Sequence, residues 1–163
     1  MSASDNSAAT TQSARLRMIA AAAIFFTSSA VNFDASSMNV LLADLSRAFA
    51  VAPGRAVGLV SAYQIALMIA VLPFSALGER FGLRKLYICG LTLIATGAVF
   101  SGLAGSFEIL MVARVLTGLG AACTMGASAG VIRRAFGIQG IGFGLSIIAV
   151  AAGTSSALGP IAA

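Results

Sequence analysis

"LGERFGLRKLYI", residues 77–88, places four charged side chains, Glu79, Arg80, Arg84 and Lys85, within seven positions. Long apolar sequence lies on either side, in a chain with only 9% charged residues. Gly78 and Gly82 flank "ERF", and glycine takes positive φ without a steric penalty. The stretch therefore reads as a tight turn between two apolar helices. Glu79 stands where the first helix ends and Arg84 where the second begins. An acid and several bases in so short a turn can form an ion-pair cluster that ties the two helix ends together.

The helices flanking this turn belong in a bilayer. Hydrophobic residues make up 59% of the 163 residues, and mean hydropathy is +0.99. Soluble domains are about 45–50% apolar and about a quarter charged. The apolar runs are continuous and do not alternate with polar residues, which excludes a membrane β-barrel and leaves an all-α integral membrane protein. At roughly 20 residues per crossing, the chain accommodates about five spans with short loops. They are predicted at about 18–45, 57–77, 85–104, 107–131 and 136–163. Residues 1–14, "MSASDNSAATTQSA", are polar and low in complexity, and are expected to form a disordered cytoplasmic tail. Short loops make consecutive helices antiparallel neighbours.

Orientation follows from the basic residues. Arg15, Arg17, Arg80, Arg84, Lys85, Arg133 and Arg134 fall on one side of the predicted spans, and only Arg47 and Arg55 on the other. Seven against two is a positive-inside bias, so a multi-pass protein of the inner (plasma) membrane with a cytoplasmic N-terminus is expected. The competing reading is a cleaved signal peptide ending at Ala30, against which stand the later spans. The net charge of +5 sits at span ends and not in one patch, so lipid, not nucleic acid, is the expected partner. There is no histidine, which removes the usual neutral-pH general base. Cys89 and Cys123 lie in apolar runs and read as buried thiols. No nucleophile–base pair or phosphate-cradling loop is present, so neither an enzyme nor a bound metal or cofactor is expected.

The first span is the polar one. At 100° per residue Ser28, Asn32, Ser36 and Asn39 share a narrow arc, and Thr27 and Asp34 share another side. A charged side chain at the bilayer centre costs roughly 2.5–3.5 kcal/mol. Asp34 therefore reads as a cavity acid able to hold a proton or a cation, with Asn32, Ser36 and Asn39 as polar cavity wall; the alternative places it at the outer interface of a short span. Arg114 is set in apolar sequence of the fourth span. It needs a counter-charge, a polar cavity or an exit to the outer headgroups. A direct or water-bridged Asp34–Arg114 pair is one solution, although spacing alone does not fix which way the two helices face. Beyond it, Gly118, Ala122, Gly126 and Gly130 recur every four residues, a ridge that lets another helix approach closely. Gly159-Pro160 predicts a bend in the fifth span.

These segments resemble the major facilitator superfamily. The turn is similar to the loop G-x-x-x-D-R-x-G-R-R/K between helices two and three, with Gly78, Arg80, Gly82, Arg84 and Lys85 in or beside the pattern, Ser75 at the first glycine, Glu79 at the aspartate and Leu83 at an arginine. Residues 34–43 resemble the first-helix motif D-x-T-x-V-N-V-A-L-P of fourteen-helix drug:proton antiporters: Asp34, Asn39, Val40 and Leu42 match, Ser36 replaces threonine and Ala43 the proline. The fourth-helix motif R-x-x-Q-G-x-G is met by Arg114, Gly118 and Gly120, with Thr117 at the glutamine. The fifth-helix motif G-x-x-x-G-P-x-x-G-G is met by Gly159 and Pro160, with Ser155 and Ala163 at two glycines.

The resemblance implies the first five helices of a six-helix half of a major facilitator fold. It also implies a proton-driven multidrug exporter, with Asp34 and Arg114 coupling the proton to the substrate and no cofactor but the proton gradient; the buried acid would attract a lipophilic, cationic compound. An importer of sugars or organic acids is the runner-up within the superfamily. Such transporters have two halves with the substrate site between them. A chain of this length is thus expected to need a missing C-terminal half or another chain, for which the fourth-span ridge is one seat, and not to transport by itself; an inert truncated membrane protein is the other reading.

Overall fold

The computed structural model describes residues 3–136, 142, 146 and 148–155. Four helices follow one another: α1 (Ala3–Ala48), α2 (Pro53–Phe81), α3 (Leu83–Gly102) and α4 (Phe107–Phe136). Residues 148–155 are helical too, and no strand occurs among the described residues. The fold is all-α, as the continuous apolar runs require.

Neither glycine nor proline occurs between Ala3 and Ala48, so nothing in the backbone interrupts α1. It therefore takes in most of residues 1–14, and the disordered tail expected there is corrected to helix. Its 46 residues are about 69 Å long at 1.5 Å per residue, more than any bilayer crossing needs. The helix ends where Ala50 takes a left-handed φ of 51° and the Ser46 hydroxyl donates to the Val51 carbonyl. α2 opens with Pro53 in its first turn, where the missing N–H would have had no partner anyway.

The quoted turn is tighter than its sequence suggested. α2 runs to Phe81 and α3 starts at Leu83, so Gly82 is the whole connection. Glu79 and Arg80 belong to the last turn of α2, and Arg84 and Lys85 to the first turn of α3. The Gly82 N–H donates to the Gly78 carbonyl at 3.1 Å, and its carbonyl accepts from Leu86 N–H at 3.2 Å. Gly78 is buried because Leu83 and Leu86 fold back over it; a Cβ there would stand 2.9 Å from a Leu86 methyl. Gly82 holds φ at +99°, with no other atom within 4 Å of a would-be Cβ. Gly82→Ala therefore meets no clash, and its penalty is backbone strain alone, about 1–3 kcal/mol. Unfolding midpoints in detergent micelles test this; an unchanged midpoint means the turn relaxes freely.

α4 is the central element. α2 and α3 both pack along it, while α1 meets α2 and α4 more lightly. Glycines set the spacing. A Cβ on Gly118 would stand 2.6 Å from the Tyr63 carbonyl oxygen of α2, and one on Gly126 3.0 Å from the Ser75 nitrogen. On the other flank a Cβ at Gly120 would stand 2.8 Å from the Gly90 carbonyl oxygen of α3. Gly130 lies under the Leu83 side chain. The ridge read from the sequence is thus filled by helices of the same chain and is not an open seam for another. Thr117, Thr124 and Ser128 are buried beside it, and their hydroxyls donate to carbonyls of their own helix three or four residues back.

Met38, Leu59, Phe107 and Leu110 form an apolar cluster joining α1, α2 and α4. Phe49 packs edge-on against Phe107, and the Arg55 guanidinium lies 5.7 Å from that ring's centre. A second cluster joins Leu86 of α3 to Cys123 and Ala127 of α4. Cys123 is buried, but Cys89 is exposed on α3 and is not the buried thiol its apolar surroundings suggested.

Pro53–Phe81, Leu83–Gly102 and Phe107–Ile132 are long and apolar enough to cross a membrane. α1 does not join them on that criterion, because Asn32, Asp34 and the serines dilute it. Of the predicted fifth span, residues 148–155 are described as helix, and Gly159 and Pro160 lie outside the described residues.

Candidate functional site

The centre of interest is where α1 crosses α4. Arg114 Nη1 donates to Asp34 Oδ2 at 2.7 Å, a charge-assisted hydrogen bond. The Arg114 side chain is 9% exposed and the Asp34 side chain 41%. The arginine is therefore the buried partner, and the acid is the one that a proton or solute can reach. Of the three solutions open to Arg114 in sequence, counter-charge, polar cavity or exit to headgroups, the structure takes the counter-charge, beside a cavity.

Asp34 opens on a cavity of about 40 Å³, room enough for a water molecule. Arg114, Asn39, Tyr63, Gln64 and Leu59 complete much of its wall. Tyr63 is there because Gly118, one turn beyond Arg114, lets the α2 backbone press against α4 at that level. It shares that cavity wall with both charges. Arg114 also carries a debt of hydrogen bonds: its Nε is buried without a partner.

The other predicted residues distribute as follows. Asn39 reaches the cavity wall while its amide donates to the Ala35 carbonyl at 2.9 Å. Asn32 donates to the Ser28 carbonyl at 2.8 Å and, with Ser36, stands outside the cavity. The turn residues Gly78, Glu79, Arg80, Gly82, Arg84 and Lys85 sit at the other end of α2, with Gly82 roughly 28 Å from Tyr63 along the helix axis. Gly118, Gly120, Gly126 and Gly130 pack helices and contribute no chemistry.

Three tyrosine and glutamine side chains were not foreseen. Tyr63 and Gln64 form a polar pair in "SAYQIA", residues 61–66, inside the apolar second span, and that was a readable signal. Tyr87 was not readable: its hydroxyl donates to the Ala23 carbonyl at 2.9 Å. With its single proton so used, it accepts from the Thr27 hydroxyl. This clasp ties α3 to α1.

Comparison with known proteins gives a consistent result. The family model described as Major Facilitator Superfamily matches residues 23–163. The uncharacterized transporter YebQ of Escherichia coli K12 is 35% identical over 127 residues, 78% of this chain and 28% of its own length. The multidrug resistance protein Stp of Mycobacterium tuberculosis CDC 1551 / Oshkosh is 33% identical over 103 residues, 63% of this chain and 19% of its own. The tetracenomycin C resistance and export protein of Streptomyces glaucescens is 32% identical over 99 residues, 61% of this chain and 18% of its own. The chain thus spans less than a third of the length of each of these relatives. No solved structure matches the chain significantly.

Proposed function

We propose a function from the premise that this chain belongs to the Major Facilitator Superfamily: it supplies part of a transporter that expels small lipophilic compounds in exchange for protons. Members of this family are membrane transporters, not enzymes. Export is favoured over import because relatives in the same range of identity are named for multidrug resistance and for export. The cytoplasmic N-terminus and plasma-membrane setting rest on the distribution of basic residues.

The observation that carries the proton step is the 2.7 Å Arg114–Asp34 bond with the acid on the cavity side. Arginine keeps its charge at any working pH, so the pair has one titratable member. A proton reaching Asp34 removes its charge and weakens its hold on Arg114. α1 and α4 then have two arrangements of different energy, which is what coupling to a proton gradient requires. A cationic substrate reaching the same acid competes with Arg114 for it, and so acts on the same equilibrium as the proton.

The test is the Asp34→Asn change made in a complete homologous transporter, expressed in cells stripped of other efflux pumps. Proton-driven extrusion of a lipophilic cationic dye should fall to background while the protein remains in the membrane. Extrusion at the wild-type rate removes Asp34 from the coupling step.

A further inference from the structure

We infer that Tyr63 is the positioning residue that receives Arg114 when Asp34 takes up a proton. This rests on the proposed protonation of Asp34 and adds to it the destination of the released guanidinium.

The need for such a destination is visible in the paired state. Arg114 has five N–H donors, and its Nε is already buried without an acceptor. Neutralising Asp34 weakens the acceptor at Nη1, while the guanidinium stays charged and nine-tenths buried. A buried cation short of acceptors is strongly destabilising. Among the described residues the charged and titratable groups around the cavity are Asp34 itself on α1, Arg114 on α4 and Tyr63 on α2, with none from α3. Asn39 and Gln64 add neutral amides, but both residues are exposed and so face competition from water.

Tyr63 differs from them in being 8% exposed. It is held in place by its own backbone, whose carbonyl rests on Gly118 one turn from Arg114. It lines the same cavity as both charges. Among the described residues no hydrogen bond joins it to Asp34 or Arg114 while these two are paired, so its oxygen can accept from a guanidinium that lets go of the acid. Tyr63 thereby stabilises the protonated state of the pair and leaves the ionised state as it is. The consequence has a sign: removing the hydroxyl makes protonation of Asp34 harder.

The experiment is infrared titration of the purified full chain in lipid nanodiscs, following the carboxylic C=O stretch that appears as Asp34 is protonated. The band is assigned by its absence in Asp34→Asn. Tyr63→Phe should lower the pH midpoint of this band by about one unit, a tenfold loss of proton affinity. Gly118→Ala keeps the ring but pushes its backbone away, and should move the midpoint in the same direction. Circular dichroism identifies any variant that has not folded, and the other variant then decides. An unchanged midpoint overturns the inference, and so does a rise, which would mean that Tyr63 serves the carboxylate. If the wild-type chain shows no Asp34 band at all, the proton reading itself fails, and that result is distinct from a band that Tyr63→Phe leaves unmoved.

Discussion

Asp34→Leu will destabilise the helix bundle by about 3 kcal/mol, and adding Arg114→Leu to it will restore most of the loss. The asymmetry follows from where the two charges lie. Removing the acid alone strands a guanidinium whose side chain is 9% exposed. Removing one member of a buried pair costs about 3–5 kcal/mol, whereas replacing both by apolar groups is often neutral or favourable. The lower end applies because the Asp34 side chain is 41% exposed and part of its interaction is screened. Reversible unfolding in mixed micelles, read by circular dichroism for both single variants and the double, gives the coupling energy directly. If the double variant is as unstable as the two single losses added together, the 2.7 Å contact contributes nothing to holding α1 on α4.

A comparable loss is expected on the other side of α4. Gly118→Leu will cost about 3 kcal/mol and displace α2. Even the first carbon of a side chain at Gly118 would stand 2.6 Å from the Tyr63 carbonyl oxygen and 3.0 Å from the Ala66 Cβ, and neither backbone can yield without moving the helix. The comparison with other glycines makes the prediction specific. At Gly130 the obstacle is the far end of the Leu83 side chain, which can rotate, so Gly130→Ala should cost less. At Gly153 no described atom outside the helix's own backbone and chain neighbours lies within 4 Å of a would-be Cβ, so Gly153→Ala should cost the least of the three. Unfolding midpoints rank the three variants; equal losses at all three positions would mean that close approach of backbones is not what these glycines provide.

The all-α membrane fold was legible because continuous apolar runs and the placement of Lys and Arg need no tertiary information. Helix boundaries were less legible. The charges at Glu79, Arg80, Arg84 and Lys85 look like a loop, yet only Gly82 leaves the helical conformation, because charged side chains at a membrane surface reach water from a helix as easily as from a coil. The same confusion of polarity with disorder affected residues 3–14, where alanines and the lack of glycine or proline let the helix continue. In the site, Asp34 and Arg114 were each marked by the cost of a charge in an apolar span. That they meet depended on the rotation of α1 about its axis, which a period of 100° per residue leaves free. Tyr63 and Gln64 stood out as polar residues in apolar sequence, but nothing local said that Gly118 would bring Tyr63 to Arg114. Asn32 and Ser36 share an arc with Asn39 yet miss the cavity, because the cavity covers only a short length of α1.

The single-residue connection at Gly82 has a mechanical corollary. Two rods joined with no slack cannot slip past each other lengthwise, so α2 and α3 must travel as one lever through any working cycle. Compliance then concentrates where α1 meets the other helices, through two polar fasteners: the Tyr87 clasp to α3 and, farther along, the Asp34–Arg114 latch to α4. Of the two, only the latch contains a carboxylate, so under the proposed proton step it is the one that opens, leaving α1 to swing about the clasp.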